Sequence, residues 1–274
     1  MNEPLTLKAR DYKSGVKPIW CPGCGHYSVL NALTKAFAAL GIDRDDTVLV
    51  SGIGCSSRLP AYVDSFGFHG VHGRGLAIAQ GLKVARPELT VLDMGGDGDG
   101  FSIGGNHFIH ACRRNVDITY VAMDNEVYGM TKGQASPTTP ADWDHSKLTP
   151  HGPGVRPFKP AALALASGAP WIARAYSGNP NQMARIIAEA VEHPGFSFVH
   201  VLSQCITFCP EQTDWKAIAH EREDPALADA DEAARLFLHE DGFQTGVLYH
   251  QRRDTWPPQR NARADTDLTA GFRL

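Results

Sequence analysis

Several features are missing from this 274-residue sequence, and each absence excludes something. No apolar run approaches the roughly 20 residues that a membrane-crossing helix needs. The segment Met1 to Pro18 is polar and mixed in charge, so no secretory signal is expected there. Basic residues are neither abundant nor clustered: 26 Lys and Arg stand against 30 Asp and Glu, a formal charge of −4. That balance offers no electrostatic footprint for nucleic acid. There is no internal repeat, no low-complexity tract and no dinucleotide fingerprint, since Gly95-Gly96-Asp97-Gly98 lacks the required spacing. The chain reads as a cytoplasmic protein that binds neither membrane nor nucleic acid.

What is present is ordinary globular material, 43% hydrophobic and 20% charged, with enough apolar residues for a sizeable core. Strand-like and helix-like segments alternate. The spacing of Leu30, Leu33, Phe37 and Leu40 predicts a helix over 26–40, stopped by Gly41. Further helices are expected near 76–85, 103–114, 161–167 and 181–193. Apolar runs at 47–51, 89–94, 118–123, 171–176 and 196–202 read as buried strands. This alternation predicts an α/β fold, a parallel sheet covered by helices on both faces. Residues 1–210 are expected to form the main domain. Residues 211–274, more polar and with one helical stretch near 229–239, read as a C-terminal extension. From Asn125 to about Lys159 the chain has little periodicity, and a loop that long is either functional or disordered.

In open parallel sheets, ligands sit beyond the carboxyl ends of the strands. The unusual residues fall there repeatedly: Cys55, Asp97, Asn125 and Cys205 each follow a predicted strand. Asp97 stands in Gly95-Gly96-Asp97-Gly98-Asp99-Gly100. Such a run can be no more than a tight turn. Its glycines also let backbone approach a bulky anion, and the helix that follows presents unpaired N–H groups. A carboxylate among those donors tolerates a phosphate when a hard cation such as magnesium lies between them. Asn125, at the end of the neighbouring strand, can add an amide oxygen.

Six cysteines in a chain with no export signal suggest metal or redox work rather than disulfides. Cys21-Pro22-Gly23-Cys24 places two thiols on one turn, a spacing that suits zinc, an iron–sulfur centre or a redox dithiol. Cys55 and Cys205 converge on the same sheet edge, and four thiolates there fit a four-iron four-sulfur cluster. Cys112 lies mid-helix and reads as a small buried hydrophobe.

Together, Trp20-Cys21-Pro22-Gly23-Cys24-Gly25-His26, Gly52-Ile53-Gly54-Cys55-Ser56, His72-Gly73-Arg74, the Gly-Asp-Gly-Asp run and Thr131-Lys132-Gly133-Gln134 resemble the beta subunit of 2-oxoacid:ferredoxin oxidoreductases over residues 18–210. The resemblance implies a thiamine diphosphate-binding fold with one 4Fe-4S cluster ligated by Cys21, Cys24, Cys55 and Cys205. It also implies Mg²⁺ held by Asp97, Asn125 and the carbonyl of Val127. The cofactor contacts it implies are Ile53, Gly54, Cys55, Ser56 and His72 from the first two loops. From the later motifs it adds Gly98, Asp99, Asn125, Gly129, Met130 and Thr131. Where the family carries Thr-Phe-Asn after its last cysteine, this chain has Thr207-Phe208-Cys209, so Cys209 is a rival fourth ligand. The implied reaction is CoA-dependent oxidative decarboxylation of a 2-oxoacid with electrons passed to ferredoxin. An alpha subunit completes the site in a dimer of alpha–beta heterodimers. Arg58 and His72 are the candidate catalytic side chains, with Arg58 expected beside the thiazolium, where it would favour the distal carboxylate of 2-oxoglutarate. Two other readings are a non-redox thiamine enzyme, such as an acetolactate synthase, and a zinc-stabilised binding module.

Overall fold

The computed structural model describes residues 7–257, so the last part of the expected C-terminal extension, 258–274, lies outside the described residues. In chain order the elements are α1 (His26–Leu40), β1 (Thr47–Ser51), β2 (Phe66–His69), α2 (Gly75–Ala85), β3 (Thr90–Gly96), α3 (Gly105–Arg114), β4 (Thr119–Asp124), β5 (Val127–Tyr128) and β6 (Gln134–Ala135). They continue with α4 (Pro160–Ala166), β7 (Trp171–Tyr176), α5 (Pro180–Glu192), β8 (Ser197–Leu202), α6 (Trp215–Ile218), β9 (His220–Glu221), α7 (Ala230–His239) and β10 (Gln244–His250).

Eight strands form one sheet in the order β2-β1-β3-β4-β8-β7-β10-β9. The run from β2 to β7 is parallel, and β10 joins antiparallel to β7. Side chains alternate across the strands. Leu49, Leu92, Val121, Val199 and Ala173 face α1 and α5. Val50, Val91, Tyr120, Phe198 and Ile172 face α2, α3, α4 and α7. Phe108 of α3, fully buried, packs edge-on against Phe101 and Phe198. A side chain of that size withdrawn from water contributes roughly 1.5–3 kcal/mol. Cys112 is likewise fully buried in this layer.

The sheet differs from the sequence-based expectation at both ends. Strand β2 was not expected: Phe66, Gly67, Phe68 and His69 are all exposed on the sheet edge, so no burial pattern marks them. The C-terminal segment is not solely a helix-bearing arm. It supplies β10 to the main sheet and, through Ala233 and Phe237 of α7, part of the core.

Strands β1, β3, β4 and β8 run parallel, so the segments that follow them all emerge along one edge of the sheet. After β3 the chain enters a wide π-helical turn, Gly98–Ile103, before α3 begins at Gly105, two residues later than its periodicity suggests. Among the described residues, no helix is long and apolar enough to cross a membrane.

Candidate functional site

Among the cavities along this edge, two adjoin each other. The first is lined by Ile53, Gly54, Cys55, Ser56, His72, Gly98 and Asp99 from the β1, β2 and β3 loops, with Asp97 behind them. Asn125, Val127, Gly129, Met130 and Thr131 close its other wall. The structure therefore brings together every residue expected to contact the cofactor or its metal on this side. Gly98 is needed for space, since a Cβ there would run into the Tyr128 ring.

Asp97 is buried at the start of the π-helical turn. The Thr138 hydroxyl stands 3.1 Å from Asp97 Oδ2 and 2.7 Å from Asp124 Oδ1. A hydroxyl has one proton, so it can serve one of these carboxylates at a time. Asp124 has other donors: Glu126 N at 3.0 Å and His200 Nε2 at 2.8 Å. His200 Nδ1 accepts from the Arg174 guanidinium at 3.2 Å, which leaves the ring proton on Nε2. Asp97 has only neutral donors, the Ser136 and Thr138 hydroxyls and a backbone N–H. Burial, and then the Asp124 charge, push its carboxyl up to about 8. A cation placed against it would reverse both penalties, which is what a divalent ion does for a buried carboxylate. Asn125 Oδ1 and the backbone of Val127 lie alongside, with Val127 N donating to Asn125 Oδ1 at 3.3 Å. The donor set is oxygen throughout and suits magnesium.

Asp99 lines the same cavity, but its carboxylate is engaged within the chain. Oδ1 accepts from Ile53 N at 2.9 Å and Gly73 N at 2.7 Å, and it meets His72 Nδ1 at 2.8 Å. Asp99 thus braces the loops after β1, β2 and β3 against one another. His72, held by that contact, also sets its ring edge-on to Tyr128.

The second cavity, about 300 Å³, is walled by Cys21, Cys24, Cys55 and Cys205, with Trp20, Arg58 and Phe208 around them. Burial raises the Cys24 thiol to about 12 and the Cys55 thiol to about 11, and the neighbouring cysteines add to both. Cys205 is raised for the same first reason, opposed by the nearby backbone N–H groups of Phe208 and Thr207. His26 N–H does the same for Cys24. The thiols of Cys24, Cys55 and Cys205, each half-buried, resist ionising beside one another unless a metal centre takes up the charge, while the neighbouring backbone N–H groups favour thiolate. Among the described residues no three His, Cys, Asp or Glu side chains converge tightly enough for a single metal ion. Thiols spread around a cavity of this size fit a polynuclear centre better than mononuclear zinc.

Cys209 does not line this cavity. It is buried beside Val127, Trp143 and Phe208, and its N–H donates to the Cys205 carbonyl at 2.8 Å. Arg58, exposed, lies on the cysteine side and not among the residues of the Asp97 cavity. The sequence-based expectation placed it beside the thiazolium. The turn that carries it rolls into the 3-10 segment Ser56–Tyr62 and turns Arg58 toward the cysteines.

The two cavities share Cys55, Asn125, Gly129 and Met130. A Cβ at Gly129 would lie 3.5 Å from Cys55 Sγ and 3.9 Å from Cys205 Sγ, so the shared wall is one residue thick. Thr138 and Gln212, both part of this architecture, carry no motif and were not singled out from the sequence.

A parallel sheet whose strand ends gather Gly-Asp-Gly, Asn and a glycine-cleared cavity defines a thiamine diphosphate enzyme domain. Residues 52–201 match the family described as thiamine pyrophosphate enzyme, C-terminal TPP binding domain. The chain belongs to the beta subunits of the 2-oxoacid:ferredoxin oxidoreductases. It is 50% identical over 189 residues to 2-oxoglutarate synthase subunit KorB of Archaeoglobus fulgidus, covering 69% of this chain and 70% of that protein. It is 39% identical over 263 residues to the beta subunit of 2-oxoacid:ferredoxin oxidoreductase 2 of Aeropyrum pernix, covering 90% and 84%. With 2-oxoglutarate oxidoreductase subunit KorB of Mycobacterium tuberculosis the identity is 44% over 73% of this chain, and the match spans about half, 54%, of that longer protein. The fold superimposes with a TM-score of 0.87 and 45% identity on the 2-oxoglutarate:ferredoxin oxidoreductase of Magnetococcus marinus, solved with 2-oxoglutarate, coenzyme A and succinyl-CoA bound. That likeness covers 91% of this chain and 87% of the other.

Proposed function

We propose that this chain binds thiamine diphosphate through Mg²⁺ at Asp97, Asn125 and the Val127 carbonyl, and one 4Fe-4S cluster at Cys21, Cys24, Cys55 and Cys205. With an alpha subunit it catalyses CoA-dependent oxidative decarboxylation of a 2-oxoacid, 2-oxoglutarate to succinyl-CoA, and reduces ferredoxin. The observation that carries this reading is the shared wall: the cysteine cavity and the Asp97 cavity meet at Cys55, Asn125 and Gly129. Bound together, the two groups supply an electron sink for loss of carbon dioxide and a one-electron acceptor beside it.

The protein's own residues do the holding. Asp97 and Asn125 would offer oxygen to the metal, and the Asp99 brace holds the Ile53 backbone on the cavity wall and the Gly73 backbone behind it. His72, anchored on Asp99, presents the remaining edge of its ring to the cavity. The names of the relatives and the ligands of the Magnetococcus marinus enzyme support 2-oxoglutarate as the substrate. The cavity rim carries exposed Ile53 and Met130, a surface suited to an alpha subunit that closes the site; two such heterodimers would form the assembly.

Anaerobic coexpression with the alpha subunit tests the proposal. The complex should be brown, contain iron, sulfide, magnesium and thiamine diphosphate, and reduce ferredoxin with 2-oxoglutarate and CoA. The chain without its partner, reconstituted with both groups, should show no turnover. A colourless complex holding zinc, or cluster-free turnover without CoA, would overturn it.

A further inference from the structure

We infer that Gln212 is a positioning residue that joins the two cofactor sites, an inference that rests on the function proposed above. Strands β4 and β8 run side by side, and their ladder continues as far as Ser203 N donating to the Asp124 carbonyl at 2.7 Å. Beyond that bond the chains part: Asn125 leads to the metal side and Cys205 to the cysteine side. The Asn125 carbonyl and the Cys205 N–H are left without a partner on each other's strand. The side-chain amide of Gln212 fills the gap. Its Oε1 accepts from Cys205 N at 2.7 Å and its Nε2 donates to the Asn125 carbonyl at 2.8 Å. A backbone N–H can only donate and a carbonyl only accept, so the amide has one possible orientation. Gln212 is 2% exposed, and water cannot substitute for it without entering the wall. It acts as a surrogate peptide that lets the strands diverge while fixing their separation.

The position matters because each contacted backbone group belongs to a residue that carries a proposed ligand. Moving the Cys205 turn would displace a cluster thiolate together with the nearby Thr207 and Phe208 N–H groups. Moving Asn125 would displace the metal-binding amide and the Val127 backbone bonded to it. Outer residues that orient ligands typically change metal affinity or activity 10- to 100-fold when lost.

The test uses the alpha–beta complex with Gln212→Met, which keeps length and volume but removes both bonds, and Gln212→Glu, which keeps the acceptor for Cys205 and loses the donor for Asn125. Thiamine diphosphate affinity is measured by calorimetry in the presence of Mg²⁺, and the reduced cluster by its electron paramagnetic resonance line shape. Gln212→Met should weaken cofactor affinity at least 10-fold and alter the line shape. Gln212→Glu should weaken affinity to a similar degree while the line shape stays that of the unaltered complex, so it reports even if the Met variant fails to fold. Unchanged affinity in the Glu variant, or equal disturbance of both signals in it, would overturn the inference. A lowered melting temperature with both signals intact in the Met variant would also overturn it, leaving Gln212 a stabilising residue. An unaltered complex that holds neither group fails the proposed function itself, which separates the two outcomes.

Discussion

The indole N–H of Trp20 donates to the backbone carbonyl of Cys55 across 2.7 Å. This bond ties the turn bearing Cys21 and Cys24 to the turn bearing Cys55, and the ring is held edge-on by Tyr27, Tyr62 and His26. Trp20→Phe keeps an aromatic wedge and leaves the carbonyl unpaired. It should cost about 0.5–1.5 kcal/mol of stability and speed the release of iron to a chelator, followed by the fading of the visible absorption.

The cysteines divide sharply. Cys55→Ala and Cys205→Ala should abolish iron binding, because each removes a wall thiol of the same cavity. Cys209→Ala should keep iron and its reducible signal, and lose only packing against Val127 and Trp143. Iron analysis of the three variants decides the fourth ligand. Retention of full iron in Cys205→Ala with its loss in Cys209→Ala would reverse the assignment.

Asp99→Ala should be far more damaging than Asp99→Asn. Alanine leaves the N–H groups of Ile53 and Gly73 without an acceptor, at roughly 1–3 kcal/mol for the buried Gly73 N–H and less for the partly exposed Ile53 N–H, so a loss of about 1–4 kcal/mol is expected from urea unfolding. Asparagine keeps one acceptor oxygen and should recover much of this.

His193 gives the acid limb of stability a specific contribution. Burial, and then the nearby His250, lower its folded pKa to about 4, below the ordinary value of 6.5. Between those values the unfolded chain takes up a proton that the folded one refuses, so stability falls as the pH drops from about 6.5 toward 4 and levels off below. His193→Phe should flatten that part of the curve relative to the unaltered protein. Parallel curves for the two proteins across this window would refute the assignment.

Arg58, on the cysteine side, should not discriminate between substrates. Its charge opposes the upward shift of Cys55. Arg58→Ala should move the cluster potential to more negative values by about 10–40 mV, as expected for an exposed charge worth ~0.2–1 kcal/mol. It should also change turnover with 2-oxoglutarate and pyruvate alike. A selective loss for 2-oxoglutarate would restore the carboxylate-binding role that its sequence position suggested.

Most of the sheet was legible because its strands are buried on both faces and read as unbroken apolar runs. Helices α1 and α5 announced themselves through period and stop signals. Strand β2 was not legible, since an exposed Phe-Gly-Phe-His edge carries neither alternation nor burial. Strand β10 was hidden because Gln244, Thr245 and Gly246 resemble loop residues until β9 pairs with the first two and β7 with Gly246. The motif residues of both cavities could be read directly. The residues that hold them could not. Thr138 and Gln212 are single polar residues in aperiodic segments, and their partners are chosen by tertiary contact. Spacing alone likewise could not separate Cys205 from Cys209, which sit four residues apart on one turn; in the fold Cys205 lines the cysteine cavity and Cys209 is buried away from it.

Strand β10 closes the β7 edge antiparallel, and it is made late, after every parallel strand of the sheet has left the ribosome. Until residue 250 emerges, β7 shows an open row of backbone donors and acceptors, flanked by the apolar surface that Leu248 and Phe237 will cover. Bare edges of that kind pair with whatever strand is nearest. Nascent chains are therefore most prone to misassociation in the interval between the completion of the cofactor loops and the arrival of β10. A ribosome stalled near residue 240 would hold a nearly finished site on an unfinished sheet.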